Sequence, residues 1–160
     1  MDFKINNPQF KHGYLYAVRL LTVGKRSSSE LSTRLAEKGY SGETVQQVIE
    51  ILKTQGILND QRLIRETVQW AVQAKRYGRR RISLELKKRK VNAGEIEKAL
   101  MEYPKNVEQE TARMLAEERW LKLKKVEPQK RKKRVYDFLI NRGFDFELSR
   151  EVVTHMQSGT

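Results

Sequence analysis

Arginine and lysine side chains carry the clearest chemical signal in this sequence. One cluster occupies residues 75–81 and returns at residues 87–90, and a second is the unbroken run at residues 130–134. Closely spaced like charges repel one another, so we predict that a negatively charged partner neutralises them. Nucleic acid is a polyanion that such clusters commonly meet. Backbone amides at the starts of the helices that carry these clusters are predicted to attract the same anion.

Other residue types give little support for catalysis. His12 and His155 stand near opposite ends of the chain, and neither has a second histidine four residues away, as the helical zinc motif requires. The Gly24-Lys25 pair lacks the earlier glycine of a phosphate-binding loop, and the adjacent carboxylates at residues 117 and 118 diverge on a helix. Cysteine is absent. We therefore predict that the protein is not an enzyme and that it has no catalytic residue, cofactor or metal site.

The overall composition describes a basic protein with an extensive surface. Arginine and lysine number 33 against 20 aspartate and glutamate residues, which leaves a net charge of +13. A hydrophobic fraction of 38% and a charged fraction of 33% favour an elongated molecule over a compact sphere. The sequence has no apolar run of 18 residues and no signal-peptide core. A soluble, cytoplasmic protein without a membrane partner is predicted.

The helices that carry the basic clusters belong to an internal repeat. Leu35, Leu86 and Leu139 stand 51 and 53 residues apart, and each has another apolar residue one helical turn earlier. Apolar residues align again in the helix that follows, and strand-like alternation is missing. We predict an all-α chain of three tandem three-helix repeats that form an elongated, curved body, with the middle repeat the most basic. The predicted repeats are residues 1–60, 61–104 and 105–160.

The turn after each repeated leucine is predicted from its residue types. Gly39 and Gly143 stand where a helix commonly ends in the left-handed conformation. Lys90 takes this place in the middle repeat, so that turn is predicted either to be strained or to close differently. The N-caps of the helices that follow are predicted to be Ser41, Asn92 and Asp145.

Apolar and aromatic side chains are predicted to fill the repeats. In the first helix, predicted to begin near Tyr14, the inward stripe is expected at Leu15, Val18 and Leu21. Most aromatic residues are assigned to the core. Tyr77 and Trp120 have a second interpretation, in which an exposed ring stacks on a base.

Five segments, taken in order, resemble the RecX family of bacterial regulatory proteins. The segments are Ala17-x-x-Leu20-Leu21, Arg26-Ser27-x-x-Glu30-Leu31-x-x-x-Leu35-x-x-Lys38-Gly39-Tyr40, Gly56-Ile57-Leu58-Asn59-Asp60, Arg76-x-Gly78 and Phe138-Leu139-x-x-Arg142-Gly143-Phe144. The resemblance extends over roughly residues 14–156. Its main departure is Lys90, where glycine is usual in the family.

The resemblance implies an all-helical modulator of the RecA recombinase. Such proteins bind RecA and its filament on single-stranded DNA, and most often inhibit filament growth, ATP hydrolysis and strand exchange. We expect a monomer that contacts single-stranded DNA without sequence preference, with duplex DNA as a second candidate. The residues predicted to contact the recombinase or DNA are Arg76, Arg79, Arg80, Arg81, Lys87, Lys88, Lys130, Arg131, Lys132, Lys133 and Arg134.

Two other functions fit parts of the sequence. Residues 28–53 have the helix, glycine turn and second helix of a helix-turn-helix transcriptional regulator. Against this alternative, the second of these helices carries Glu43 and Glu50 and no cation between residues 43 and 52, whereas recognition helices commonly present cations to DNA. A structural adaptor that binds an acidic protein would have the same basic surface, so this alternative also stays open.

Overall fold

A computed structural model describes residues 7–156, and within this range the chain forms nine helices and no strand. They are α1 (Pro8–Val23), α2 (Ser28–Glu37), α3 (Gly42–Thr54), α4 (Asp60–Gln69), α5 (Arg79–Lys88), α6 (Ala93–Met101), α7 (Lys105–Lys122), α8 (Pro128–Asn141) and α9 (Phe146–His155). A single π-helical turn, Trp70–Ala74, continues α4. The all-α prediction is confirmed.

The helices form two compact units. Within the described range, the first unit comprises residues up to Glu66 together with Lys87–Asn92. The second comprises Thr67–Leu86 and the residues from Ala93 onward. The boundaries predicted for three repeats, and their elongated and curved arrangement, stay predictions.

The core of the first unit forms where α1, α2 and α3 pack together. The stripe predicted for α1 was wrong at Leu15, which is 56% exposed, whereas Val18 and Leu21 are partly buried and pack against the core. The helix begins at Pro8, earlier than expected, and its buried residues are Phe10, Gly13 and Ala17. A Cβ atom at Gly13 would lie 3.5 Å from the Tyr40 ring, an ordinary van der Waals distance, so Gly13 packs directly against Tyr40.

The core of the second unit includes the packed helices α7, α8 and α9. Its buried residues include Leu115 from α7 and Val135 and Leu139 from α8, and the last two belong to the repeat pattern. Phe144 is fully buried directly after the turn that ends α8. The spacing of apolar residues therefore predicted these core positions correctly.

The helix ends have the conformations that the repeat predicts. Gly39 and Gly143 have φ angles of 96° and 90°. In both turns the amide that follows the glycine donates to the carbonyl of the repeated leucine, Leu35 or Leu139, at 3.2 Å. The predicted caps Ser41 and Asp145 accept hydrogen bonds from Thr44 and Leu148, and Asn92 directly precedes α6.

Lys90 is held in the left-handed conformation with φ 54°, so the turn closes as its counterparts do and carries strain. We expect Lys90→Gly to raise the free energy of unfolding by about 1 kcal/mol, because glycine adopts this conformation without a steric penalty. The Lys90 ammonium also donates to the Thr33 hydroxyl at 3.0 Å, a surface bond that both Lys90→Gly and Lys90→Ala remove. Urea unfolding followed by circular dichroism should therefore place the glycine variant above the alanine variant. Equal stability of the two would show that the turn is not strained.

Candidate functional site

The backbone amides at the start of α5 are already used inside the protein. Those of Gly78 and Arg80 donate to the carbonyls of Arg142 and Gly143, each at 3.0 Å. The amide of Arg79 donates to the Glu108 carboxylate at 2.8 Å. These acceptors satisfy the groups that a helix start leaves unpaired. The prediction that they attract an external anion was wrong.

The start of α8 gives the same result. Glu127 stands directly before the helix, and its carboxylate accepts hydrogen bonds from the amides of Gln129 and Lys130. A carboxylate at a helix N-terminus also interacts favourably with the helix dipole. The amides of Gln129 and Lys130 are therefore already used, and the side chains of residues 130–134 are what this segment presents to solvent.

Arg79 is an internal member of the second unit. Its Nε donates to the buried Glu108 carboxylate at 2.7 Å, and its guanidinium also donates to the carbonyls of Leu100 and Tyr103. The Arg79 side chain is 24% exposed, and that of Glu108 is 6% exposed. Burial, and then the Glu108 charge, raise the pKa of the Tyr103 phenol. The geometry makes Arg79 a residue that holds α5, α6 and α7 together, while its contact with a partner stays a prediction.

Arg76 and Arg81, by contrast, meet at an open cleft of about 530 Å³ in the second unit. We call this the arginine–aromatic cleft. It is lined by Ala74, Lys75, Arg76, Tyr77, Arg81, Phe138, Asn141 and Arg142. The π-helical turn ends immediately before Lys75, and Arg76 has a φ angle of 53°. These two backbone irregularities direct successive side chains into one place.

Guanidinium groups lie over the aromatic rings of the cleft. The Arg142 guanidinium is 5.7 Å from the centre of the Tyr77 ring and 5.4 Å from that of Phe138. Arg81 lies 5.4 Å from the Tyr77 ring, and Arg119 lies 5.3 Å from Phe138. Cation–π contacts of this kind fix the guanidinium planes without using their hydrogen-bond donors.

Two carboxylates neutralise part of the cleft. Glu118 accepts hydrogen bonds from both terminal nitrogens of Arg76, at 2.7 and 3.1 Å. This contact lowers the pKa of Glu118 and raises that of Arg76, so both side chains are charged at neutral pH. Arg81 lies 3.1 Å from the Glu85 carboxylate, one turn away on α5. The cleft keeps an excess of positive charge after these pairs form.

The other predicted contact residues are spread over the two units. Arg80 is exposed and lies 4.5 Å from the centre of the Phe146 ring. Arg131 covers the Trp120 ring at 3.7 Å and donates to the Trp120 carbonyl, so one face of this ring is already occupied. The remaining predicted cations are exposed or half-buried on the surface. They are Lys87 and Lys88 in the first unit and Lys130, Lys132, Lys133 and Arg134 in the second.

The prediction missed Phe138 and Arg142, which line the cleft, and Arg119, whose guanidinium lies over the Phe138 ring. Phe138 and Arg142 are four residues apart on α8 and at its end, a spacing that places side chains on one helix face. The sequence could therefore have predicted that the Phe138 ring and the Arg142 guanidinium lie together on the surface of α8. Their proximity to Tyr77 had no signal in the sequence, because more than sixty positions separate these residues.

No helix within residues 7–156 is long and apolar enough to span a membrane. In the same range, the histidine, aspartate and glutamate side chains form no group of three that could hold a metal ion.

Comparison with known proteins finds similarity along most of the chain. Residues 14–52, 59–100 and 106–153 match the models of the first, second and third three-helix domains of RecX. This ordered match confirms the predicted series of three three-helix domains.

Individual RecX proteins are similar to this chain over most of their length. The regulatory protein RecX of Pelodictyon phaeoclathratiforme is 33% identical over 132 residues, which is 82% of this chain and 81% of that protein. The regulatory protein RecX of Trichlorobacter lovleyi is 33% identical over 141 residues, or 87% and 92% of the two chains. The crystal structure of RecX from Lactobacillus salivarius has a similar fold, with a TM-score of 0.80 at 19% identity over 93% of this chain and 97% of that one.

Proposed function

Because this chain belongs to the RecX family of regulatory proteins, we propose that it binds the RecA recombinase and its filament on single-stranded DNA. In this proposal it inhibits filament growth, ATP hydrolysis and strand exchange, acts in the cytoplasm as a monomer and catalyses no reaction. The observation that carries the proposal is the match of all three family domains in order. The excess of positive charge supports it, since both DNA and acidic protein surfaces attract such a chain.

Binding alone is sufficient for this regulation. A protein that binds the disassembled and assembled states of a filament with different affinity shifts the equilibrium between them. The proposed contacts are the eleven cations predicted from the sequence, with different roles. Arg76 and Arg81 act at the arginine–aromatic cleft, Arg79 positions its neighbours, and the exposed cations of α8 act as charges on the surface.

A titration of RecA ATPase on linear single-stranded DNA tests the proposal. We expect the hydrolysis rate to fall as the chain is added at substoichiometric and then stoichiometric ratios to RecA. An unchanged rate at every ratio would contradict the proposal. A strong preference for one duplex sequence would instead support a transcriptional regulator. The exposed residues Glu43 and Glu50 of α3 do not favour that alternative.

The α8 cations can be tested in the same assay. We expect the triple change of Lys130, Lys133 and Arg134 to glutamate to raise the half-inhibitory concentration about tenfold, because three phosphate or carboxylate contacts become repulsive. Lys130 lies in the first turn of α8, where glutamate is compatible with the helix dipole, and glutamate is a good helix former at positions 133 and 134, so α8 should persist. The matched control reverses three exposed lysines outside the predicted set, Lys11, Lys53 and Lys105. An equal effect of both triple changes would mean that net charge, and not this surface, determines inhibition.

A further inference from the structure

We propose that the arginine–aromatic cleft binds the phosphate backbone of single-stranded DNA, and that Glu118 competes with that phosphate for Arg76. The inference rests on the proposed function only for the choice of DNA as the ligand. The geometry of the second unit supports it, and the oligo(dT) titrations that test it need no recombinase.

The cleft presents cations that are already oriented. Arg142 donates to the carbonyl of Lys75 at 2.6 Å and lies over two rings, which limits the positions that its guanidinium can adopt. Arg81 is held over Tyr77. Less side-chain entropy is therefore lost when an anion binds to these groups than when it binds to free surface arginines.

The backbone at the cleft departs from regular geometry at two neighbouring places. A π-helical turn at Trp70–Ala74 is followed by Arg76 in the left-handed conformation, which is unfavourable for a residue with a side chain. Both irregularities occur frequently at functional sites. Here they bring Lys75, Arg76 and Tyr77 to the cleft together.

An exposed aromatic ring stands beside these cations. Trp70 is 45% exposed, and its ring centre lies 6.2 Å from that of Tyr77. The Lys75 ammonium lies 5.3 Å from the centre of the Trp70 ring. Single-stranded nucleic acid binds surfaces that combine cations for the phosphates with rings for the bases. An acidic peptide would use the cations but has no need of an exposed ring, so the arrangement favours DNA.

Glu118 occupies the place that a phosphate oxygen pair would take on Arg76. A carboxylate and a phosphate both present two oxygens that match the arginine fork. The pair is nearly half exposed, with side-chain exposures of 40% for Arg76 and 46% for Glu118, so it can exchange its partner without unfolding the site. Removal of the Glu118 charge should therefore make Arg76 available and strengthen DNA binding.

The neighbouring residue Glu117 provides a matched control. Glu118→Gln and Glu117→Gln remove the same charge from adjacent positions of α7, and only Glu118 pairs with Arg76. We expect Glu118→Gln to tighten binding of a fluorescein-labelled oligo(dT) about threefold to fivefold in an anisotropy titration, the range that an exposed ion pair allows. The slope of log K against log salt should steepen by about 0.7, which corresponds to one more phosphate contact. Equal effects of the two variants would overturn the proposal.

A loss-of-function variant tests the same cleft. We expect Arg142→Gln to weaken oligo(dT) binding about tenfold, because a charged hydrogen-bond donor is lost. Arg113→Gln removes an equal charge from an exposed arginine of the same unit, 3.7 Å from Glu151, and should change the affinity less than twofold. If circular dichroism shows that Arg142→Gln does not fold, the comparison of Glu118→Gln with Glu117→Gln decides whether the cleft binds DNA.

Competition with polyglutamate separates DNA from an acidic protein partner. If Glu118→Gln changes the affinity for polyglutamate and leaves the affinity for oligo(dT) unchanged, the cleft binds acidic protein and the proposal fails. If the chain lowers RecA ATPase activity but the cleft variants bind oligo(dT) as their controls do, the proposal for the cleft fails and RecA regulation stands. If the cleft variants change oligo(dT) binding but the chain has no effect on RecA ATPase activity, the cleft is supported and RecA regulation fails.

Discussion

Glu108→Gln is expected to lower the free energy of unfolding by about 3 kcal/mol or more, the cost of removing one partner from a buried ion pair. The Glu108 carboxylate accepts from both the amide and the Nε of Arg79, at 2.8 and 2.7 Å, and the residue is 5% exposed. Glutamine has nearly the same shape but only one acceptor oxygen. Its amide nitrogen would face a donor of Arg79, and the arginine charge would stay without its counterion.

Chemical denaturation followed by circular dichroism measures this loss. Glu110→Gln is the control, because Glu110 lies two residues further along α7 and is exposed. It should change the free energy of unfolding by less than about 0.5 kcal/mol. Replacing Arg79 and Glu108 together by apolar residues should cost less than either single loss, since no charge is then left unpaired. A Glu108→Gln variant as stable as the Glu110→Gln variant would show that the pair does not hold the helices.

Gly143→Ala should destabilise the protein far more than Gly39→Ala, although the two glycines occupy equivalent places in the repeat. Both have left-handed backbones, for which a side chain costs about 1 kcal/mol. A Cβ atom at Gly39 would meet nothing within 4 Å, whereas one at Gly143 would lie 2.3 Å from the Cβ of Arg81 and 2.4 Å from its amide nitrogen. The latter distances require the start of α5 to move away from the end of α8.

We expect Gly39→Ala to cost about 1 kcal/mol and Gly143→Ala to cost about 3 kcal/mol or more, since steric and backbone strain add. Thermal and urea unfolding of both variants give the comparison. The Gly143→Ala substitution should also weaken the hydrogen bonds that the amides of Gly78 and Arg80 donate to the carbonyls of Arg142 and Gly143. Similar costs for both substitutions would indicate that the contact between α5 and α8 is loose.

Much of the fold could be predicted because its determinants are local. Helix boundaries depend on residues such as Ser41 and Asp145, whose side chains bond an amide three positions away. The buried leucines follow from helical spacing repeated three times. The error on α1 came from the same source, since apolar spacing beginning near Tyr14 favoured a face containing Leu15. The true start at Pro8 adds Phe10, which packs in the core.

The roles of the cations, in contrast, depended on tertiary structure. Arg79, Arg80 and Arg81 are consecutive and chemically identical, yet one is held by Glu108, one lies on Phe146 and one faces the cleft. Successive side chains on a helix point in different directions. Arg79 and Arg80 acquire their partners from distant parts of the chain, whereas Arg81 lies near Tyr77 and Glu85, each four positions away. The sequence by itself determined the helices, their caps and the excess of positive charge. Only packing decided which charges are internal ties and which remain at the surface, because burial and ion pairing depend on groups that the folded chain brings together.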